Sequence, residues 1–273
     1  MAYGLLKGKK GIIFGALNQE SIAWKAALAA VSEGAEIVLT NTALSLRMGA
    51  IQQLAAECGN APVIAADATS VQELEALVDS AMEHFGGQFD FVLHSVGMSP
   101  NIRKNKAYEA TNYDFFNKTL DISAMSFHKL LSVLYAKDAL KEWGSVVALS
   151  YIAAQRTFEG YNDMADAKAL LESITRSFGL KLGKERHVRV NTISQSPTLT
   201  TAGSGIEGMK DMLNYAGMMS PLGNADAEDC AAYIVSLFSD LTRKVTMQNL
   251  YHDGGFSSTG LCSEVIEAFK RGL

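Results

Sequence analysis

Tyr161 and Lys168 are the two residues of this sequence whose types and spacing best suit acid–base chemistry. They are seven positions apart, close to two helical turns, so a helix would carry both side chains on one face. The phenol has a reference pKa of about 10, and a nearby ammonium favours the phenolate and strengthens the hydroxyl as a hydrogen-bond donor. Such a pair can stabilise an oxygen atom that becomes negative during a reaction. Because pairs at this spacing also occur by chance, the surrounding elements must decide between the two interpretations.

Those elements alternate between short apolar runs and helical patterns along the whole chain. The runs predict strands at 11–14, 36–40, 62–66, 89–94, 144–150, 188–194 and 247–252. The patterns between them predict helices at 21–33, 44–58, 70–85, 113–135 and 162–182. Continuous apolar strands need helices on both faces, so we expect one Rossmann-type α/β domain over residues 1–273, with a doubly wound parallel sheet.

A segment at 195–219 interrupts this alternation just after the sixth strand. It is rich in Ser, Thr, Gly and Met, and the ligand crevice of such sheets lies beyond the carboxyl ends of the strands. We therefore predict that it forms a mobile substrate-binding lid.

Composition excludes several classes of protein. The chain has 273 residues, of which 48% are hydrophobic and 19% charged, as expected of a globular protein. No apolar run reaches the length of a bilayer span, and the first residues lack the pattern of a secretory signal, so we expect a cytoplasmic protein without a membrane span. A net charge of −5 argues against nucleic-acid binding. The cysteines and histidines show no metal-ligand spacing, so we expect no metal.

The turn after the first strand carries one part of a dinucleotide-binding pattern. Gly15 permits a tight turn, and Ser21 and Ile22 open the next helix, where free N–H groups can meet a pyrophosphate. The two later glycines of the usual fingerprint are missing. An ordinary turn with Ser21 as a helix N-cap remains the alternative.

The ends of the next strands leave the choice of cofactor open. Thr42 follows the second strand with neither the acidic residue typical of NAD sites nor the arginine typical of NADP sites. Asp67 ends the third strand and suits either the adenine amine of a cofactor or a helix cap. Val96 and Gly97 follow the fourth strand, where the backbone could approach a ribose or simply turn.

Taken together, these pieces resemble the short-chain dehydrogenase/reductase superfamily and, within it, the enoyl-acyl-carrier-protein reductases of bacterial type II fatty acid synthesis. The resemblance rests on Gly15…Ser21-Ile-Ala-Trp24, His94-Ser-Val-Gly97, Ser150-Tyr151, Tyr161…Lys168, Val188-Arg-Val-Asn-Thr-Ile-Ser194, Ser204-Gly-Ile206 and His252-Asp-Gly-Gly-Phe-Ser257. Most members of the superfamily place the lysine four residues after the tyrosine, where this chain has Ala165. The longer spacing and the replaced glycines are similar to the enoyl reductases.

The resemblance implies reduction of the carbon–carbon double bond of a trans-2-enoyl thioester on an acyl carrier protein. The expected cofactor is NADH, with NADPH not excluded, and the expected assembly is a homotetramer. It implies catalytic roles for Tyr161, Lys168 and, less directly, Tyr151. Lys168 would also contact the cofactor, together with Gly15, Ser21, Ile22, Thr42, Asp67, Ala68, Val96, Gly97, Thr198, Leu199, Thr200, Thr201 and Ala202. Substrate would meet Ser99, Tyr151, Tyr161 and Met164, the last of which could equally be a core residue.

Two departures from the family pattern stand out. Gln195-Ser196 replaces a common Ala-Gly pair, which affects the backbone at the start of the predicted lid. The 206–219 segment has Lys210 as its one basic residue, although an acidic carrier protein would meet a positive surface. The carrier could instead dock at Arg103, Lys104 and Lys106, or these could be a solvated loop.

Two other functions remain open. A carbonyl reductase of the same superfamily would use a serine near the end of the fifth strand, where Ser150 lies, but the lysine spacing disfavours it. A non-catalytic nicotinamide sensor would be expected to have lost the pair formed by Tyr161 and Lys168, which is intact here.

Overall fold

Seven parallel strands form one sheet in the order β3-β2-β1-β4-β5-β6-β7. The protein is described as a computed structural model, which covers residues 2–198 and 208–272, with the backbone alone at Met209. The strands are β1 (Lys10–Phe14), β2 (Glu36–Asn41), β3 (Val63–Ala65), β4 (Phe89–His94), β5 (Leu140–Ser150), β6 (Arg189–Gln195) and β7 (Asn249–His252). The predicted doubly wound parallel sheet is confirmed.

Helices cover both faces of this sheet. They are α1 (Ile22–Ser32), α2 (Ala43–Met48), α3 (Ile51–Glu57), α4 (Val71–Phe85), α5 (Pro100–Arg103), α6 (Tyr113–Leu120), α7 (Ser126–Ala136), α8 (Asn162–Arg186), α9 (Met209–Met219), α10 (Ala227–Phe238) and α11 (Ser263–Gly272). Within the described residues, no helix has both the length and the apolar character needed to cross a bilayer.

The core divides into two layers because successive side chains of a strand point to opposite faces of the sheet. In β1, Ile12 packs into the layer beneath α4 and α7, whereas Ile13 packs into the layer beneath α1 and α10. Both side chains are fully buried. This two-sided burial explains why the strands are apolar runs rather than alternating sequences.

Two predicted helices are interrupted in the structure. The helix predicted at 44–58 is divided into α2 and α3 at Gly49, where the chain meets the turn after β1. A Cβ atom on Gly49 would lie 2.6 Å from the Leu17 carbonyl oxygen, and Ala50 N–H donates to that oxygen at 3.1 Å. The helix predicted at 113–135 contains a π-helical turn at Asp121–Met125, a local widening that often occurs at functional sites.

The segment predicted as a lid lies partly outside the described residues. Its start, through Thr198, follows β6, and its end forms α9. Its role as a lid therefore stays a prediction.

Candidate active site

A cleft of about 520 Å³ opens at the carboxyl edge of the sheet, between the turns after the central strands and helices α5, α8 and α9. Twelve of the predicted site residues line it: Gly15, Ser21, Ile22, Thr42, Val96, Gly97, Ser99, Tyr151, Tyr161, Met164, Lys168 and Thr198. Asp67 and Ala68 do not line it. The predicted contacts at Leu199, Thr200, Thr201 and Ala202 lie outside the described residues.

Lys168 is buried on α8, with its charge directed to the end of β5. Its Nζ donates to the Leu149 carbonyl oxygen at 2.7 Å, and 8% of the residue is exposed. Burial lowers the pKa of Lys168 to about 8, and the carboxylate of Glu172, one turn later, opposes that shift. A Cβ atom on Gly97 would lie 3.6 Å from Nζ, so this glycine leaves space beside the ammonium.

Tyr161 stands at the N-cap position of α8, and its ring packs against that of Tyr151 with centroids 4.9 Å apart. Burial raises the pKa of Tyr161 well above its ordinary value. Desolvation of this phenol therefore outweighs the lowering of its pKa that a neighbouring ammonium was expected to cause. At neutral pH the phenol is protonated and can donate a hydrogen bond.

Tyr151 forms the neighbouring wall of the cleft. Its hydroxyl donates to Met212 Sδ on α9 at 3.5 Å, and its ring packs against Phe158 at 5.3 Å. Burial, and then the neighbouring Tyr161, raise the pKa of Tyr151. Tyr151 thus connects this wall of the cleft to α9 and belongs to an aromatic cluster.

The turn after β1 lies at the cleft and packs closely against the end of β4. Gly15 has a φ of +93°, and a Cβ atom there would lie 1.9 Å from the Ser95 carbonyl oxygen, so a larger residue is excluded. Ser21 Oγ accepts from the N–H groups of Leu17 and Asn18, each at 3.2 Å, and does not cap α1 through its side chain. Ser21 does occupy the N-cap position of α1, as the alternative interpretation expected, but without a side-chain cap the first N–H groups of α1 remain at the cleft edge.

Neutral polar groups line the end of β2. Asn41 Nδ2 donates to the Ala16 carbonyl oxygen at 3.0 Å, and Thr42 Oγ1 accepts from Ser45 N–H at 3.2 Å, which caps α2. By contrast, Asp67 Oδ1 accepts from the N–H and the hydroxyl of Thr69, each at 2.8 Å. Asp67 stabilises its own turn, and Ser70 is the residue that caps α4.

On the opposite side of the cleft, the hydroxyl group of Ser99 forms hydrogen bonds with other residues of the protein. Its Oγ donates to Asp163 Oδ1 at 2.6 Å and accepts from Ile102 N–H at 3.1 Å, which caps α5. Met164 packs with Ile102 and Ala167, so it is a core residue that also faces the cleft.

Sequence reasoning missed part of the lining. The additional residues are Leu17, Asn41, Ser45, Ser95, Met98, Ile102, Arg103, Ile122, Leu149, Ser150, Gln195, Ser196, Pro197 and Met212. Most adjoin predicted positions, so a wider window around each strand end would have found them. Ile122 belongs to the π-helical turn, which periodicity had joined into one continuous helix.

The unusual pair Gln195-Ser196 has a structural explanation. Gln195 Nε2 donates to the Ala225 carbonyl oxygen at 3.0 Å, and its Oε1 lies 2.7 Å from His252 Nδ1. Ser196 Oγ accepts from Ala225 N–H at 3.0 Å. Both side chains fasten the end of β6 to the loop before α10, and Gln195 also to the end of β7.

His94 is a buried residue at the end of β4 that does not line the cleft. Its Nε2 lies 2.9 Å from Ser126 Oγ, and burial, followed by the charge of Lys168, lowers its pKa to about 3. The imidazole is therefore neutral. Among the described residues, no group of three or more His, Cys, Asp or Glu side chains could hold a metal ion.

Comparisons with known proteins agree with this geometry. A family model described as "Enoyl-(Acyl carrier protein) reductase" matches residues 15–257. The "Enoyl-[acyl-carrier-protein] reductase [NADH] 2" of Rhizobium meliloti (strain 1021) is 35% identical over 98% of this chain and 97% of its own length. The FabI reductase [NADH] of Rickettsia felis is 35% identical over 95% of this chain and 98% of its own. The crystal structure of a FabI–NADH complex from Alistipes finegoldii superimposes with a TM-score of 0.96 at 67% identity, covering 99% of this chain and 95% of that one. This chain belongs to the enoyl-(acyl carrier protein) reductase family.

Proposed function

We propose that this protein reduces the carbon–carbon double bond of a trans-2-enoyl thioester with hydride from NADH. The thioester is borne on an acyl carrier protein, in the elongation cycle of bacterial type II fatty acid synthesis. The observation that carries the proposal is the convergence of a protonated phenol, Tyr161, and a buried ammonium, Lys168, on one cleft. The turn at Gly15, which we expect to bind the cofactor's phosphates, opens into the same cleft.

The cleft fits a dinucleotide along its length. The turn at Gly15 and the first N–H groups of α1 would hold the pyrophosphate, and Lys168 would hold the nicotinamide ribose, beside the space left by Gly97. Asn41, Thr42 and Ser45 are uncharged, so the lining at the end of β2 offers no cation to a 2′-phosphate. This supports NADH over NADPH. The resemblance adds contacts at Val96 and from Thr198 to Ala202.

Each residue of the cleft has a separate role in the proposed reaction. NADH, when bound, supplies the hydride for the β-carbon. Tyr161 donates a hydrogen bond to the thioester carbonyl oxygen, which becomes negative as the double bond is reduced, and protonation of the α-carbon completes the reaction. Lys168 places a positive charge near that oxygen. Tyr151, Ser99 and Met164 form the walls against which the acyl group lies.

A turnover assay separates this function from its alternatives. Purified protein with NADH and crotonyl thioester should lose nicotinamide absorbance, whereas an acetoacetyl thioester should leave it unchanged. The opposite pattern would favour a carbonyl reductase, for which Ser150 is poorly placed because its Oγ donates to the buried Glu172 Oε1 at 2.7 Å. Binding of NADH without turnover of either thioester would favour a sensor.

The carrier protein is proposed as the partner that delivers the substrate. Arg103 lines the cleft, and the exposed Lys104 and Lys106 follow it. Lys104 Nζ lies 4.4 Å from the centroid of the Phe115 ring. In the described part of the chain, none of the three forms an ion pair, so their charges are available to an acidic surface or to the phosphodiester of the carrier's prosthetic arm.

The same assay tests this docking proposal. Carrier-borne crotonyl thioester should have a lower KM than a thioester of N-acetylcysteamine, and added salt should remove the difference. Equal KM values at low salt would overturn it.

Assembly, location and lid movement complete the proposal. We propose a homotetramer in the cytoplasm, in which the 195–219 segment closes over bound substrate. The contact of Tyr151 with Met212 supports the last point because it couples α9 to the cleft wall. Sedimentation equilibrium measures the oligomeric state, and a monomer would contradict the proposed homotetramer.

A change at Glu172 should alter the pH dependence of the reaction. This carboxylate raises the pKa of Lys168 against the effect of burial, so Glu172→Gln lowers that pKa. Since Lys168 must keep its proton, the alkaline limb of the kcat/KM profile should move to lower pH. Glu185→Gln, on the exposed part of the same helix, is the matched control and should leave the limb in place. A limb that stays or moves to higher pH in Glu172→Gln contradicts this role.

A further inference from the structure

A fully buried carboxylate lies directly behind the substrate side of the cleft. Asp163, two residues after Tyr161, is 0% exposed. Its Oδ1 accepts from Ser99 Oγ at 2.6 Å, and its Oδ2 accepts from Asn101 Nδ2 at 2.7 Å and from Thr119 Oγ1 at 2.8 Å. In the part of the chain that the structure describes, no ion pair involves Asp163.

Stability alone does not account for such a group. A buried charge is costly to desolvate, and a well-packed apolar residue at the same place is often equally stabilising. The start of α8 offsets some of this cost, because the second residue of a helix lies at the positive end of its dipole. The three side-chain donors offset more of the desolvation cost. All three come from segments that precede α8 by more than 40 residues.

Two of those donors, Ser99 and Asn101, belong to α5 and its cap, which form one wall of the cleft, and the third, Thr119, belongs to α6, none of whose residues lines the cleft. Ser99 caps α5, whose residue Ile102 lines the cleft and packs on Met164. Asn101 also holds the loop before α6 through two bonds to the backbone of Asn112, at 3.1 and 3.2 Å. The carboxylate therefore fastens this wall to the first turn of α8, which carries Tyr161.

We infer that Asp163 is a positioning residue that sets the distance between the α5 wall and Tyr161, and thereby how the acyl group of the substrate meets the phenol. This rests on the proposed function. We expect cofactor binding to be retained, because the bonds that Ser21 and Asn41 make at the turn after β1 and at the end of β2 join other residues than those around Asp163.

The test uses a matched pair of changes at Thr119, which does not line the cleft. Thr119→Val removes one donor at nearly constant volume, whereas Thr119→Ser keeps the hydroxyl. The control is Thr175→Val on α8, where Oγ1 donates to the Leu171 carbonyl oxygen within the helix and not to Asp163. Asp163→Asn is the stronger change. It replaces one carboxylate oxygen, which accepts a hydrogen bond, with an NH₂ group, which would face a side chain that also donates.

With crotonyl and dodecenoyl thioesters as substrates, Asp163→Asn should raise KM for crotonyl thioester by about 5- to 20-fold, and Thr119→Val by a smaller factor. The ratio of kcat/KM between the two chain lengths should change in both variants. Thr119→Ser and Thr175→Val should behave like the parent protein, and the Kd of NADH should stay within about twofold throughout.

Two results would overturn the inference: KM values and chain-length ratios that stay at the parent level in Thr119→Val and Asp163→Asn even if Tm falls, or a parallel loss of NADH affinity. If Asp163→Asn does not fold, the comparison of Thr119→Val with Thr119→Ser decides whether the inference is correct. A parent protein that does not reduce crotonyl thioester would instead refute the proposed function, so the two failures are distinguishable.

Discussion

Replacing Tyr161 with phenylalanine should lower kcat by about 100- to 1,000-fold, the usual effect of removing one donor to a developing oxyanion. The change deletes one hydroxyl and keeps the ring that packs against Tyr151. Because burial keeps the phenol protonated, the parent side chain acts as a hydrogen-bond donor across the neutral pH range. Since the interaction is made in the transition state, the Kd of NADH should stay within about twofold. Stopped-flow turnover and fluorescence titration of NADH measure the two quantities.

Tyr151→Phe is the matched control for this experiment. Its hydroxyl donates to a thioether sulfur, Met212 Sδ, at 3.5 Å, which is a weak hydrogen bond. We expect a change in kcat of less than about tenfold for Tyr151→Phe. If Tyr151→Phe were the more damaging of the two, the roles assigned to the two tyrosines would have to be exchanged.

Replacing Lys168 with methionine should weaken NADH binding by about 10- to 100-fold and lower kcat as well, because a buried charged hydrogen-bond donor is lost. Methionine has nearly the same length as lysine, so packing beside Gly97 is kept. The Leu149 carbonyl oxygen loses the donor that now lies 2.7 Å away. Isothermal titration with NADH and a turnover assay at saturating NADH separate the two effects.

The pH profile of the parent protein gives an independent check on Lys168. Burial lowers its pKa to about 8, so the ammonium loses its proton as the pH rises through that value. Cofactor binding in the parent should weaken over the same range and, in Lys168→Met, should not change there. Lys181→Met, at a half-exposed position of α8 paired with Glu185, is the control and should bind NADH like the parent. Equal NADH affinity in Lys168→Met and the parent would contradict the role of Lys168.

The sequence predicted that Tyr161 and Lys168 lie close together, and part of the reason is simple. Helical periodicity placed the two residues on one helix face; in the structure Tyr161 is the N-cap residue before α8 and Asn162 has a φ of +41°, yet both predicted side chains line the same cleft. The strand ends were equally predictable, since parallel strands bring their carboxyl ends to one edge of the sheet. Asp67 shows the limit of that rule, because a residue at a strand end can bind its own turn instead of facing the crevice.

Other features depended on contacts between distant segments. The break at Gly49 comes from a close approach to Leu17, more than 30 residues earlier, which no local pattern records. The raised pKa of Tyr161 comes from burial by several elements, and it reverses the shift expected from the charge of Lys168.

The sequence by itself determined the fold class and the family, and it singled out Tyr161 and Lys168 as candidates, because each inference depends on local periodicity or on short motifs within one segment. The tertiary structure decided how those residues are held. The bonds from Lys168 to Leu149 and from Ser150 to Glu172, and the network around Asp163, join segments about 20 to more than 60 residues apart. Desolvation and hydrogen bonding act through space, so these effects follow from packing and not from spacing along the chain.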